Sequence, residues 1–189
     1  MGSTSSSPQK QSPEMDFFYF KYIRSMYSIE RFHGRWFFLS NFYPCKIKHQ
    51  GLTYPSVEHF YVAMKCNNDQ FLNGTYYTAG DFRDMVAKIK DPAIVKKLGQ
   101  KIKVRKDWNE KKLEFMNWAI REKFVDSLAE KLLETKNLPL IEGNFWHDNF
   151  YGSCYCGKCG SKGNNHLGKI LMEVRDELRG IEKKTGIII

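Results

Sequence analysis

Short apolar runs broken by Pro and Gly fill residues 17 to 54, and apolar residues at helical spacing dominate the rest of the chain. In "YPSVEHFYVAMK", residues 54 to 65, Val57, Phe60, Tyr61 and Met64 share one face of a helix that starts after Pro55, with Ser56 as its cap. Glu58 and Lys65 stand seven residues apart and fall within about 20° of each other on a second stripe of that helix. "DPAIVKKLG" reads as a helix with Asp91 as cap, Pro92 at its first position and Gly99 past its end. Asp107 with Glu110, and Ser127 with Glu130, have capping-box spacing ahead of two more helices. The first of these buries Leu113, Met116, Ile120 and Phe124, and a last helix buries Leu167, Ile170, Leu171, Val174 and Leu178. Upstream, "WFFLSNFYP" is an apolar run ended by Pro, "CKIKHQGLTY" a hairpin turning near Gly51, and "NNDQFLNGTYYTAG" a loop. The pattern predicts an α+β fold, mostly α: one compact domain over residues 16–182 with a small aromatic-rich sheet near its start. Residues 1–15, polar and rich in Ser and Pro, read as a disordered tail or cloning remnant, and 183–189 as a C-terminal tail.

Composition adds partners and compartment to this picture. A chain of 189 residues suits a single domain, one able to bury roughly 70% of its unfolded surface. Aromatic residues make up 15%, concentrated between residues 17 and 77, which points to an aromatic core or a stacking surface. No apolar run approaches the roughly 18 residues a membrane span needs, and the first residues lack the apolar stretch of a secretory signal. Five cysteines, odd in number and unevenly spaced, point to reduced thiols in the cytosol or nucleus. The formal charge is +9, and residues 96–112 hold eight Lys or Arg against two acids. Such a balance favours anionic partners, either nucleic acid or phosphorylated nucleotides.

Four constellations could carry chemistry, and each has a plainer reading. Glu58 and Lys65 are either solvated surface charges or the wall of a pocket in which a rigid helix presents both. "GSKGNNHLGK" is either a flexible connection or a Gly-rich loop offering a helix N-terminus to phosphate, and it fits neither the Walker nor the dinucleotide pattern. "IEGNFWHDNFYG" gathers Glu142, Trp146, Asp148 and Tyr151, which suits a cationic transition state beside a stacked ring but also an ordinary turn. "CYCGKC" with His166 is either a metal-free reduced loop, the favoured reading, or a structural zinc site of Cys154, Cys156, Cys159 and His166.

Read in order, "FLSNFYPCKI", "GLTYPSVEHFYVAMK", "RKDW", "MNWAIREKF", "LIEGNFWHDNFYG" and "GNNHLGKILMEVR" resemble the NADAR/YbiA-like family of N-glycosidases over residues 38 to 178. Tyr151 departs from the family, which usually has Trp there, and many relatives lack "CYCGKC". The resemblance implies hydrolysis of a ribosyl C–N bond without a cofactor. It makes Glu58 the leading catalytic residue, joined by Lys65, Glu142 and Asp148. Asn41, Trp108, Tyr151, Gly152 and Asn165 would shape or bind the substrate, and Arg105 would meet nucleic-acid phosphates. Trp108 would stack on a base or, alternatively, anchor its helix in the core, and the "GNNHLG" turn would hold a diphosphate. The basic balance favours an ADP-ribosyl glycohydrolase that frees ADP-ribosylated guanine in nucleic acid. The alternatives are an N-glycosidase of phosphorylated riboflavin-biosynthesis intermediates and a non-catalytic ADP-ribose or nucleotide reader.

Overall fold

The helix that opens at Ser56 lies at the centre of the molecule. In the computed structural model, which describes residues 27–160 and 162–185, this helix α1 spans Val57–Met64, and the Ser56 hydroxyl accepts from the His59 amide. Seven of its eight residues are buried; only Glu58 is not. The helix is therefore enclosed on all sides rather than amphipathic. Its large apolar side chains contribute about 1.5–3 kcal/mol each by burial. His59 sits within this core, its ring bonded to the Ser56 hydroxyl at 2.7 Å and to the Ile89 carbonyl at 2.9 Å.

The apolar run "WFFLSNFYP" opens within a 3₁₀ turn, Gly34–Leu39, which inserts Phe38 and Leu39 into the core. Strands β1 (Ile47–His49) and β2 (Leu52–Tyr54) form the anticipated hairpin, with Gln50 and Gly51 both at positive φ in its two-residue turn. The segment read as loop forms a second hairpin, β3 (Gln70–Leu72) and β4 (Thr75–Tyr77), turning through Asn73 and Gly74 at φ 50° and 80°. Helix α2 (Ala79–Lys88) comes next, behind a capping box of Thr78 and Asp81, and α3 (Pro92–Leu98) starts from Asp91 as expected.

Helix α4 (Trp108–Lys123) begins where the capping pattern placed it, but by other means. The Asp107 carboxylate makes no cap bond and instead holds the Arg105 guanidinium at 2.6 and 2.7 Å. Helix α5 (Asp126–Leu133) starts one residue before the expected cap Ser127, and Val125 takes that place without a side-chain bond. Two short parallel strands, β5 (Gly143–Asn144) and β6 (Ser153–Cys154), bracket a loop, and α6 (His166–Thr185) closes the fold past the expected boundary at 182. Helices α2, α3 and α4 pack around α1, and α6 packs across α4 and α5. The fold is thus one α+β core with small sheets at its edge. The tail over 1–15, and residues 186–189, lie outside the described residues. Among those residues no helix is long and apolar enough to cross a membrane.

Candidate active site

With α1 otherwise buried, its one unburied residue, Glu58, faces a cleft, and so does Lys65, which caps it. Glu58 and Lys65 both line a cavity of about 680 Å³, together with Asn41, Glu142, Asp148 and Tyr151. Lys96 of α3 and Arg31 add positive charge to its lining. A smaller open hollow of about 410 Å³ at α2 is lined by Asp81, Asp84 and Lys88 among others. Its charges are already committed, Asp81 to a capping box and Asp84 to Lys88.

One wall of the large cleft is helical. The Glu58 amide donates to the Asn41 carbonyl at 3.0 Å, tying the start of α1 to the segment after the 3₁₀ turn. Lys123 fixes that segment from behind: fully buried, its ammonium donates to the Ser40 carbonyl at 2.7 Å. Burial pulls its amine down to about 7. Burial pushes the Glu58 carboxyl up, while Lys96 and Lys65 pull it back and Asp148 adds to the rise. The same desolvation lowers the Lys65 amine against the attraction of Glu58. Lys65 caps the helix, its ammonium 5.4 Å from the Tyr61 ring centre and 5.9 Å from that of Trp108.

The other wall is a loop held by its own backbone. Asp148 accepts from the amides of Phe150 and Tyr151, and the Asn144 side chain clasps the Asp148 carbonyl at 2.7 Å. Burial and the neighbouring Asp148 push the Glu142 carboxyl up to about 7. Glu142 Oε2 and Asn41 Oδ1 are buried in the cleft wall without a hydrogen-bond partner among the described residues. Buried polar atoms left in this way are costly, so each calls for a partner from water or a ligand. The Tyr61 hydroxyl donates to that of Tyr151 at 2.9 Å, and Tyr151 donates on to the Lys112 carbonyl at 3.1 Å. Burial raises the pKa of both phenols. The hydroxyl that distinguishes Tyr151 from Trp is therefore in use, bridging the loop wall to α1 and α4.

Several expected residues serve the cleft from outside it. Trp108 packs between the Tyr61 ring, at 4.8 Å, and the parallel Phe115 ring, at 6.1 Å, so it is the core anchor behind Lys65 rather than a base platform. Arg105 is paired to Asp107, and its amide donates to the Lys65 carbonyl at 2.8 Å. Its guanidinium is thereby engaged by a carboxylate, and Arg105 is not among the residues that line the cleft. Asn165 accepts from the Glu142 amide at 2.9 Å and donates to the Leu140 carbonyl at 2.8 Å, so it positions the acid rather than touching a ligand. Gly152 is required by close packing, since a Cβ there would lie 2.2 Å from the Glu142 carbonyl oxygen. The "GNNHLG" turn is not an open phosphate site, because the amides of Asn164, Asn165, His166 and Leu167 all bond carbonyls of residues 149–152.

Tyr61 and Lys96 also line the cleft, though the sequence did not mark either as part of a site. Tyr61 has the spacing of a core residue. Lys96 reaches over the rings of Phe42 and Trp146, at 5.6 and 5.2 Å, and Trp146 is 59% exposed at the rim. Trp146 stands out in the sequence among the acids of "IEGNFWHDNFYG", and Lys96 opens the basic run 96–112. The cysteine cluster also differs from expectation. His147, not His166, stands with Cys154, Cys156 and Cys159, while His166 packs on the Phe150 ring at 4.5 Å.

The sequence matches the NADAR domain family over residues 29–179. The chain belongs to the NADAR family. It is 33% identical to an N-glycosidase of Nostoc punctiforme over 150 residues, 78% of this chain and 89% of that protein. It is 32% identical to the N-glycosidase YbiA of Escherichia coli over 152 residues, 76% of this chain and 82% of YbiA. A riboflavin biosynthesis protein of Vibrio vulnificus is 34% identical over 157 residues, and the chain spans 38% of that longer protein. The NMR structure of E. coli YbiA superimposes with a TM-score of 0.64 at 30% identity, covering 84% of this chain and 88% of YbiA. At family level, this NADAR domain is of the N-glycosidase type, a hydrolase class.

Proposed function

We propose that the cleft hydrolyses the C–N bond between ribose and guanine in ADP-ribosylated nucleic acid and releases ADP-ribose. The observation that carries this reading is the meeting of Glu58, Lys65, Glu142 and Asp148 in one cleft, with Lys96 and Trp146 at its rim. Cleavage of a ribosyl C–N bond builds positive charge on the sugar and negative charge on the departing base. The Glu58 carboxylate stabilises the first. Glu142, titrating at about 7, keeps a proton to give to the base.

Lys65, its amine favoured by burial, attacks C1′. The new C1′–N bond forms as the bond to the base breaks, and the base departs with the Glu142 proton. Loss of the lysine proton and protonation of the ring oxygen open the sugar to an imine. Water then adds at C1′, expels the lysine amine and leaves the free sugar. Borohydride added under single-turnover conditions reduces this imine to a stable Lys65 adduct. Absence of a Lys65-linked sugar removes the covalent step and leaves Glu58 to activate water directly.

Asn41 Oδ1, lacking a donor among the described residues, suits a ribose hydroxyl. Lys96 beside Trp146 suits a diphosphate next to a stacked ring. Beyond the rim, Lys97, Lys101, Lys103 and Lys106 are exposed and free of any ion pair among the described residues. They suit the phosphates of a nucleic acid, bound through counterion release. A second reading rests on the riboflavin-biosynthesis name of the Vibrio relative: an N-glycosidase of a small phosphorylated intermediate, which makes no use of the exposed lysines.

Incubating wild type and Glu58→Gln with ADP-ribosylated guanine DNA and, separately, with the riboflavin intermediate decides between them. Release of ADP-ribose by wild type alone supports the first reading, and turnover of the intermediate alone supports the second. Binding without turnover by either protein supports a reader.

A further inference from the structure

The loop that carries Trp146 and Asp148 into the cleft turns His147 the other way, towards three thiols that the proposed chemistry does not use. We propose that His147, Cys154, Cys156 and Cys159 bind one structural zinc ion that clamps this cleft wall to the strand and turn behind it. The four donor atoms all lie within 4.8 Å of one another. His147 Nδ1 is 3.3 Å from Cys159 Sγ and 3.4 Å from Cys156 Sγ. In a tetrahedral site, Zn–S bonds of about 2.3 Å and a Zn–N bond of about 2.0 Å put sulfur and nitrogen about 3.5 Å apart. These two edges are thus already at the right length.

The donors come from elements that are themselves fixed. Cys154 is buried on β6, whose pairing with β5 sets its direction. Cys156 and Cys159 belong to one tight turn, in which the amides of Cys159 and Gly160 both bond the Cys156 carbonyl at 3.1 Å. Asn149 supports the cluster from behind. Its side-chain N–H donates to Cys159 Sγ at 3.2 Å, and its side-chain Oδ1 accepts from the Cys154 amide at 3.0 Å. Such N–H···S bonds orient and stabilise metal-bound thiolates. Three thiolates and an imidazole are a soft, four-donor set that suits zinc, and because the protein supplies all four ligands the site is structural rather than catalytic.

The site also answers a mechanical problem. Trp146 and Asp148 flank His147 directly; the Asn144 side-chain oxygen accepts from both of their amides, and Asp148 accepts in turn from those of Phe150 and Tyr151. A metal bond at His147 would anchor both neighbours at once. Zinc binding here is independent of which substrate the cleft takes.

Metal analysis of the full chain, purified under reducing conditions, tests it. Wild type should carry about one zinc per chain, because structural sites bind very tightly at neutral pH. His147→Ala should carry at least about tenfold less, since removal of one ligand opens the site. His166→Ala should keep the metal. Treating folded wild type with a mercurial thiol reagent and a chromogenic chelator should release the zinc. The resulting apoprotein should melt at least about 4 °C lower and recover on readdition of zinc with reductant. Wild type with no zinc, His147→Ala with full zinc, or a mass showing a disulfide among these cysteines would each overturn the proposal.

Discussion

The two walls of the cleft hold their charges by opposite means. On one side Glu58 and Lys65 project from a helix buried on every other face, so their placement results from the packing of the whole core. On the other side Glu142 and Asp148 belong to a loop between two-residue strands, held by side-chain amides, a close-packed glycine and backbone bonds. A helical wall tolerates a change of chemistry at its tip, because the core keeps it in place. A loop wall couples chemistry to stability, because the same few contacts serve both.

Changes at the ends of this scale should show the difference. Lys65→Arg keeps a cation on the helical wall but removes the nucleophilic amine. Single-turnover release should fall about 10²–10⁴-fold, with thermal stability nearly unchanged. A stability loss as large as the activity loss would erase the distinction between the walls.

The next effect concerns pH. The Glu142 carboxyl holds its proton to about 7 in the folded chain, against 4.5 in the reference state. Folding stability should therefore be fully present below pH 4.5 and decline as pH rises to 7, by up to about 3 kcal/mol, with Glu58 acting in the same direction. Lys123 acts in the opposite direction. Its folded value of about 7 lies below the ordinary 10.5, so the cost of burying the ammonium is relieved between those values and stability rises there. Denaturant titrations across pH should give a minimum near 7, with the acid-side fall reduced in Glu142→Gln to the part Glu58 supplies and the alkaline rise lost in Lys123→Met.

Gly152→Ala should cost about 1–3 kcal/mol by forcing a Cβ against the Glu142 carbonyl, and should raise KM along with it. Tyr151→Phe is the mildest. It breaks the phenol link between the two walls and should cost about 1 kcal/mol in urea denaturation.

How far the fold and the site could be read in advance depended on whether a signal was local. The cap at Ser56, the Asp91–Pro92 start of α3 and the stripe of the last helix each rest on neighbouring residues, and each forms as expected. The Asn73–Gly74 turn is an equally local signal: two positive-φ residues between short strands make a hairpin, not the expected loop. Asp107 shows the limit of spacing, since a nearby Arg105 outcompetes the helix amides for its carboxylate.

In the site, motif order brought Glu58, Lys65, Glu142, Asp148, Asn41 and Tyr151 to one cleft. Tyr61 and Lys96 escaped notice because helical periodicity shows which residues share a face, not whether a cleft cuts into it. The phosphate turn was misread because its amides are consumed by carbonyls of residues 149–152, a partner that chain order does not reveal. His147 likewise lies before the cysteines in sequence and beside them only after the loop folds back.

The central claim is that the cleft around Glu58 performs the glycosidic chemistry. Glu58→Gln, compared with wild type for single-turnover release of ADP-ribose from ADP-ribosylated guanine DNA and for binding of ADP-ribose, tests it most directly. The account predicts binding within about threefold, an unchanged or higher melting temperature, and release slowed at least about 10²-fold. Release by Glu58→Gln at the wild-type rate would contradict it.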